Sequence, residues 1–386
     1  MAVPRLTRRR PAAPSVPLAV ASSYGPSGAS TRVRVLDWLR HLGLDAEVHD
    51  YLGTSDVRPR TLARDPLGVL RAEVGLYRWR AQPAPERLLL SRSLGPLAGG
   101  HLDAAMLRRA GWGVYDFDDA LFADHRGGLH RHLGEAAGWA RAVRAADLVL
   151  AGNAHLAEAA AGLNPRVEVV PSCVEPDAYP RKRDYAVGPV PRLIWLGSPS
   201  TEPYLQPVAP ALLEVHRRTG ARLTVISAGD RPLGELAVMT DRVAWAGART
   251  DALLATADCG VMPLPDTPFT RGKCGYKLLQ YGAAGLPAVA SPVGVNEGVL
   301  DRLGGLGAVD PGDWVDAVCQ LLGEAESARR ARGQAAREGV EQHYSYAAWA
   351  PAFRRALHLP AADTAGGSAD QAARSAGAGS AAEPPR

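Results

Sequence analysis

Short apolar runs alternate with amphipathic stretches along most of the 386 residues, and this series begins twice. The first series opens with the apolar run 18–22. The second opens with 193–196, after a polar linker at 180–191 that is rich in Lys, Arg, Gly and Pro. Alternating strand and helix patterns are typical of a parallel sheet with helices packed on its faces. The sequence therefore predicts an α/β protein with two Rossmann-like doubly wound domains.

The individual elements are predicted from the apolar periodicity of each segment. Strands are predicted at 18–22, 45–49, 87–90, 113–117, 148–151 and 167–170 in the first half, and at 193–196, 221–226, 242–245, 259–263 and 288–290 in the second. Helices are predicted at 31–41, 133–145, 205–219, 250–256 and 277–284. Ligands of doubly wound sheets bind at the carboxyl ends of the strands, so two such sheets are expected to share one cleft.

The two ends of the chain differ from the rest in composition. Residues 1–15 are basic and proline-rich, and residues 360–386 are rich in Ala, Gly, Ser and Pro but poor in large apolar side chains. Such segments bury too little apolar surface to offset the entropy lost on ordering, so a disordered leader and a disordered tail are expected. The folded body is expected to divide into a first domain at 16–180 and a second at 181–342.

Composition and charge argue against several classes of protein. The four cysteines show no CxxC or His/Cys ligand spacing, which favours reduced thiols over disulfides or a zinc site. No apolar run reaches the roughly 18 residues that cross a bilayer, and residues 1–17 lack the apolar core of a secretory signal, so a cytoplasmic location is expected. The body does not interleave basic and aromatic residues as a nucleic-acid groove does. We predict no nucleic-acid partner, no metal ion and no cofactor.

A small-residue loop follows the first predicted strand of each half. Residues 25–30 read Gly-Pro-Ser-Gly-Ala-Ser, and residues 197–201 read Gly-Ser-Pro-Ser-Thr. Glycine lets the backbone approach an anion, and the N-terminus of the following helix supplies free amides and a partial positive charge. Neither loop matches a dinucleotide-binding or a Walker pattern. Each is therefore either a phosphate-binding loop or a plain strand-to-helix turn, and Arg32 lies just beyond the first.

A third loop is more basic and leads into the helix predicted at 277–284. It contains Arg271, Lys273 and Lys277, with Gly275 between the two lysines. Cations that converge on glycines and a helix N-terminus are typical of a diphosphate site, whereas the plain alternative is a solvated loop. The placement between a strand and a helix favours the diphosphate site.

The same stretch resembles the donor-site signature of a known family. Residues 272–294 read GKCGYKLLQYGAAGLPAVASPVG, which is similar to the GKxxxKLLxYMAAGLPVVASPVG of a bacterial branch of family 4-like retaining glycosyltransferases of the GT-B fold. Four further segments resemble that branch in the same order: SGASTRVR at 27–34, YDFDDALF at 115–122, AGNAHLA at 151–157 and WLGSPSTEPYL at 195–205. The resemblance spans residues 18–358 and implies the GT-B fold, with a helix at 343–359 that crosses back to the first domain.

The resemblance implies roles for the matching residues. Lys273 and Lys277 would neutralise the diphosphate of a nucleotide sugar, which is also the leaving group. The donor-side residues expected around it are Gly28, Arg32, Gly197, Ser198, Thr201, Arg271 and Gln280. The activity implied is hexosyl or other glycosyl transfer, with retention of configuration and without a metal ion. Fixed cations and amides at the diphosphate would stabilise its developing charge in the transition state.

Three positions depart from the family pattern. The wider family carries two glutamates eight positions apart, where this chain has Gly272 and Gln280. An amide bonds hydroxyl groups as donor and as acceptor, so Gln280 is expected to bind the ribose in place of glutamate. The carboxylate usually found near the transferred sugar has no counterpart. Gly282 stands where relatives favour methionine, which suggests extra room or a looser helix beside the site.

An acidic cluster ends the strand predicted at 113–117. Asp116, Asp118 and Asp119 are expected to line the first-domain side of the cleft, where Asp119 either orients or deprotonates an acceptor hydroxyl or caps a helix. His132, in the segment that follows, is either an acceptor contact or a surface residue. An Asp-x-Asp after a strand is also typical of Mg²⁺-dependent phosphatases and of the GT-A metal motif. No downstream Gly-Asp-x-x-x-Asp supports the phosphatase.

These observations favour a glycosyltransferase over two alternatives. A nucleotide-sugar epimerase of the same fold would turn over without an acceptor, and a non-catalytic nucleotide-sugar binding protein would bind without turnover. The acceptor is either a small natural product or a cell-surface or lipid-linked glycan precursor, and the sequence does not specify the oligomeric state. The stretch 67–79 has apolar residues at helical spacing, which either belong to a plain amphipathic helix or contact a membrane or a lipid-linked acceptor.

Overall fold

The computed structural model describes residues 17–54, 57, 59–123 and 134–360, and in these residues it has two six-stranded sheets. The first sheet contains β1 (Ala19–Ser22), β2 (Glu47–Asp50), β3 (Arg87–Ser91), β4 (Trp112–Phe117), β5 (Leu148–Ala151) and β6 (Val167–Val169). The second contains β7 (Arg192–Leu196), β8 (Arg222–Ser227), β9 (Thr240–Ala244), β10 (Cys259–Met262), β11 (Ala288–Ala290) and β12 (Leu306–Gly307). Every strand predicted from the sequence is present, and β12 is an addition.

All neighbouring strands pair in parallel, and each sheet has one point where the strand order reverses. The order is β2-β1-β3-β4-β5-β6 in the first sheet and β12-β11-β10-β7-β8-β9 in the second. The reversals lie between β1 and β3 and between β7 and β10. Crevices at such switch points, outside the carboxyl ends of the strands, are where ligands bind in this class of sheet.

Helices connect the strands and cover the sheets. They are α1 (Ala29–Thr31), α2 (Asp37–Leu42), α3 (Pro59–Leu62), α4 (Pro66–Ala81), α5 (His101–Arg109), α6 (Glu135–Ala145), α7 (Ala154–Ala161), α8 (Ala209–Thr219), α9 (Ala248–Leu254), α10 (Tyr276–Ala283), α11 (Asn296–Leu303), α12 (Pro311–Gly323), α13 (Glu326–His343) and α14 (Tyr346–Ala356). The helix predicted at 205–219 begins later, at Ala209, because Pro210 suits only the first turn of a helix. None of the described helices has the length and apolar character needed to span a bilayer.

The strands are buried on both faces because helices cover both sides of each sheet. Leu88, Leu89 and Leu90 of β3 are consecutive, so they point to opposite faces, and all three are buried. Helix α14 returns to the first sheet, where the Phe353 ring stacks on Trp38 at 4.1 Å between ring centres. The preceding helix α13 packs on α10 and α11 of the second sheet. The end of the described chain therefore ties the two halves together.

Candidate active site

The carboxyl edges of the two sheets face each other and are in direct contact. Lys273, in the loop after β10, places its Nζ 2.6 Å from Oδ1 of Asp119, which follows β4. Asn153, which follows β5, donates from Nδ2 to the backbone oxygen of Gly272 at 2.9 Å. These contacts bring the basic loop of the second sheet onto the acidic edge of the first. The switch points of both sheets open toward this junction.

A second contact closes the other side of the junction. Arg32, in the π-helical segment Arg32–Leu36 that joins α1 to α2, lies with its guanidinium carbon 5.7 Å from the ring centre of Trp245. Trp245 follows β9 of the second sheet and is 43% exposed. Arg32 therefore lies at the junction, and its described contact there is an aromatic ring.

The N-terminus of α10 has no side-chain cap. Gly275 precedes the helix in the left-handed conformation, with φ of +64°, and has no side chain to cap it. A residue with a Cβ rarely adopts this conformation, which explains the glycine between the two lysines. The amides of Tyr276 and Lys277 in the first turn have no partner within the helix. They supply donors and the positive end of the helix dipole at the switch point of the second sheet.

Lys277 is the cation placed at this helix start. Its Nζ lies 5.4 Å from the ring centre of Trp195, and no carboxylate among the described residues pairs with it. Burial, aided by the neighbouring charge of Lys273, lowers the pKa of Lys277 to about 8. The loop after β7 lies directly against it, since a Cβ on Gly197 would come within 2.9 Å of the Lys277 Cε. The structure therefore brings Gly197, Lys277 and Lys273 together.

Lys273 differs from Lys277 because its charge is matched by a carboxylate. Burial acts to lower the pKa of Lys273, but Asp119 outweighs it and raises that pKa above the ordinary value. Burial likewise acts to raise the pKa of Asp119, and Lys273 and Arg92 together hold it below the ordinary value. The Phe269 ring centre lies 4.6 Å from the Lys273 Nζ. Lys273 and Asp119 therefore form a charged pair across the junction.

Arg92 is a site residue that the sequence patterns did not identify. It follows β3 at the switch point of the first sheet and has φ of +65°, in the left-handed region that non-glycine residues rarely adopt. Its Nη1 donates to Asp119 at 2.8 Å and to Asp118 at 3.3 Å, and its Nη2 lies 3.3 Å from Glu135. Tyr115 donates its hydroxyl to the Arg92 carbonyl at 2.8 Å. A polar residue directly after the buried run of β3 was the signal available in the sequence.

The structure corrects the expectation that Asp116 lines the cleft. Asp116 lies within β4 and is fully buried, where it pairs with Arg34 at 2.5 Å and accepts from the Ser91 hydroxyl at 3.2 Å. Arg34 also donates to the Val170 carbonyl at 2.8 Å. The pair lies inside the first domain because both side chains project from buried faces of their elements. Within the described residues, no group of three His, Cys, Asp or Glu side chains is placed to hold a metal ion.

Two expectations for α10 also need correction. Gln280 is only 6% exposed and donates from Nε2 to the Tyr179 hydroxyl at 3.2 Å, so it is not presented to a ribose in this arrangement. The extra room expected at Gly282 does not exist. A Cβ there would lie 2.6 Å from Cγ2 of Val340, because α13 packs closely on this helix. The glycine therefore permits close packing of two helices.

Gly272, the other position where the family has a carboxylate, packs against the first domain. A Cβ on Gly272 would lie 2.7 Å from the Ala120 Cβ and 2.9 Å from the Ala120 backbone nitrogen. Real Cβ atoms almost never approach other heavy atoms so closely. The junction therefore leaves no space for a side chain at this position.

The remaining predicted donor residues lie at the junction or on nearby loops. Gly28 precedes α1, and a Cβ there would meet the Tyr24 Cβ at 2.7 Å. Ser198 is exposed, and its hydroxyl bonds that of Ser200 at 2.9 Å, while Thr201 donates to the Ser198 carbonyl at 3.0 Å. These hydroxyl groups therefore stabilise the turn after β7.

One predicted residue, Arg271, is not assembled with the others. Arg271 is exposed and pairs in solvent with Asp266, at 2.6 Å from Nε to Oδ1. His132 lies outside the described residues.

Comparison with known proteins agrees with this geometry. Residues 190–324 match the sequence model of the family described as "Glycosyl transferases group 1". This match covers the whole second sheet and the basic loop, and it confirms the prediction of a glycosyltransferase. Among curated protein sequences, none matches the chain.

Three solved structures illustrate the likeness in fold. WaaG, a glycosyltransferase involved in lipopolysaccharide biosynthesis, is 16% identical with a TM-score of 0.61, and the match covers 88% of this chain and 99% of WaaG. HepE of Anabaena, in complex with UDP and glucose, is 15% identical with a TM-score of 0.60, and the match covers 89% of this chain and 99% of HepE. A UDP-forming α,α-trehalose-phosphate synthase from Burkholderia xenovorans is 13% identical with a TM-score of 0.60, and the match covers 89% of this chain and 99% of the synthase. The GT-B fold predicted from the sequence is thereby confirmed.

Proposed function

We propose that this chain transfers a glycosyl group from a uridine diphosphate sugar to an acceptor hydroxyl, with retention of configuration and without a metal ion. The proposal combines the glycosyl transferase match over 190–324 with the basic helix start at the switch point of the second sheet. Assignment to family 4 rests on the resemblance of residues 272–294 to its donor signature.

The observation that carries the proposal is the environment of Lys277. Among the described residues it has no carboxylate partner, it lies at an uncapped helix N-terminus, and burial lowers its pKa to about 8. A partly buried cation without a counter-ion is costly, so a diphosphate that binds there removes part of an existing penalty. Amides and a cation fixed before the reaction begins are also the groups that stabilise developing negative charge without reorganisation.

The chemistry required of these residues follows from the leaving group. As the bond between the anomeric carbon and the diphosphate oxygen breaks, negative charge grows on the β-phosphate. Lys277 and the amides at the start of α10 would bind that charge, and Lys273 would add a second cation once it is released from Asp119. Asp119 would then face the acceptor from the first domain, where it can orient a hydroxyl group.

The choice of uridine as the nucleotide comes from structural neighbours. HepE is described with UDP and glucose and also with UDP-glucose, and the trehalose-phosphate synthase is described as UDP-forming. These are properties of those proteins, and they make uridine nucleotides the first donors to test here.

Calorimetric titration tests the proposal. UDP, GDP, dTDP and ADP, each also as a nucleotide sugar, would be titrated with and without Mg²⁺ into the wild type, Lys277→Ala and Lys273→Ala. We expect uridine nucleotides to bind equally with and without Mg²⁺, and each lysine variant to lose affinity by at least tenfold. Arg217→Ala, which removes an exposed arginine paired with Glu214 on α8, is the matched control and should bind as the wild type does.

Two results would contradict the proposal. If no nucleotide binds, the diphosphate site is wrong. If both lysine variants bind as tightly as Arg217→Ala, the nucleotide is held elsewhere.

A further inference from the structure

An apolar stripe faces outward on α4 in the first domain. Leu67, Leu70, Val74 and Tyr77 are 65%, 60%, 40% and 59% exposed, whereas Leu76 and Trp79 of the same helix are buried against the sheet. The four exposed residues are three or four positions apart, so they form one continuous line along the helix. Scattered exposed apolar residues are ordinary, but a continuous apolar line on a helix marks a contact surface.

The charges around this stripe are positive. Arg71 and Arg78 each lie four residues after a member of the stripe, namely Leu67 and Val74, and are exposed beside it. No described residue forms an ion pair with either arginine. The acidic residues of this region are engaged elsewhere: Asp65 accepts from the Gly68 amide at 2.8 Å, and Glu73 accepts from the Tyr51 hydroxyl at 2.7 Å on the side toward the core.

We propose that this face of α4, which we call the α4 stripe (Leu67, Leu70, Val74 and Tyr77 with Arg71 and Arg78), binds the surface of an anionic membrane. Apolar side chains with flanking arginines are the combination that a helix lying in the plane of a lipid interface needs. The apolar residues enter the acyl boundary, and the arginines extend their charge to the phosphate groups of the lipids. Tyr77 carries a hydroxyl group at its tip, as suits an aromatic ring at such an interface.

The position of α4 connects this surface to the junction of the sheets. The helix follows β2 and precedes β3, which run in the same direction, so it begins at the carboxyl edge of the first sheet and runs back from it. The Leu67 end of the α4 stripe is therefore the end nearest the junction. A membrane on this face would present a lipid-borne acceptor at that edge, an assignment of substrate class that rests on the proposed function.

Vesicle co-sedimentation of the full chain tests the α4 stripe independently of transfer. We expect the wild type to sediment with vesicles that contain phosphatidylglycerol, to bind vesicles of phosphatidylcholine alone more weakly, and to release with added salt. Arg71→Gln with Arg78→Gln should weaken binding about fivefold per arginine. Leu70→Asp with Tyr77→Asp should weaken it by roughly tenfold or more.

The controls distinguish binding by the α4 stripe from nonspecific adsorption of exposed apolar residues and from the proposed donor-site function. Val238→Asp with Val309→Asp changes two exposed apolar residues elsewhere, at 68% and 76% exposure, and should bind vesicles as the wild type does. UDP titration of the same variants reports on the donor site, so a loss of vesicle binding with unchanged UDP affinity isolates the α4 stripe.

Three results would overturn the proposal. One is equal vesicle binding by the wild type and the Leu70→Asp, Tyr77→Asp variant, and another is no vesicle binding at all. The third is a concentration-dependent dimer that this variant abolishes, because the occupant would then be a second copy of the chain.

Discussion

Asp119→Asn should increase the affinity for UDP, although it removes a charged residue from the site. Asp119 holds the Lys273 Nζ at 2.6 Å. A diphosphate that needs Lys273 must either displace this carboxylate or bind beside its negative charge. The amide keeps the size of the side chain and removes the charge, so both routes become easier. Arg92 keeps Asp118 and Glu135 as partners, and the local structure should therefore persist.

The size of the effect follows from the geometry of the pair. At the 2.6 Å separation, Coulomb's law gives about 6 kcal/mol for an effective dielectric constant of about 20 and about 2 kcal/mol for water. Desolvation of both groups cancels much of this, and hydrogen bonds to charged groups contribute about 1.5–3 kcal/mol net. If half or more of this net contribution is lost when the diphosphate binds, Asp119→Asn should make the free energy of UDP binding more favourable by about 1–2 kcal/mol. The Kd for UDP then falls about 5- to 30-fold.

The assay is calorimetric titration of UDP into the wild type, Asp119→Asn and Asp118→Asn. Asp118 pairs with Arg92 at 3.3 Å and has no described contact with Lys273, so Asp118→Asn is the matched control and should change the Kd less than about threefold. An Asp119→Asn variant that binds UDP as weakly as the wild type, or more weakly, would refute the reasoning. Asp119 would then serve to orient Lys273 rather than to compete for it.

Three further outcomes follow from the site and its supports. Because burial lowers the pKa of Lys277 to about 8, the lysine loses its charge above that pH, and nucleotide-sugar affinity should fall by up to tenfold per pH unit. Lys277→Arg stays charged, so its affinity should not change with pH in this range. A wild type whose affinity is also independent of pH there would contradict this. Gly272→Glu introduces the carboxylate that the resembling family carries here, but the side chain collides with the first domain, so thermal unfolding should show a loss of about 1–3 kcal/mol in stability. Gly298→Glu is the control, because Gly298 faces open space, and it must not show the same loss. Arg34→Met leaves the buried Asp116 charge without its cation, with only the Ser91 hydroxyl as a partner, and should cost about 3–5 kcal/mol in urea unfolding. Adding Asp116→Leu should recover much of this loss.

The elements were predictable because each leaves a local pattern. Buried runs such as 88–90 predict strands, and the order of strands and helices predicts parallel sheets. The basic loop was also predictable, since glycine and lysine around a helix start have a local physical meaning. The pairing of Lys277 with Gly197 follows from this, because both positions lie at the carboxyl ends of strands next to one switch point.

What the sequence could not provide is the partner of each charged residue. Asp116 and Arg34 are 82 residues apart, and nothing local distinguishes a carboxylate that lines a cleft from one that is neutralised inside the core. The left-handed backbone of Arg92 is likewise imposed by tertiary contacts. In the sequence, Gly272 and Gly282 stand out because the resembling family carries larger side chains there. In the structure, another segment of the chain packs closely against each of these glycines.

The most direct test of the account is a crystal structure of the chain with UDP. The account predicts the β-phosphate within hydrogen-bond distance of the Lys277 Nζ and the first amides of α10, with Lys273 moved from Asp119 to the phosphate. UDP bound away from the start of α10, or a diphosphate that contacts neither lysine, would contradict it.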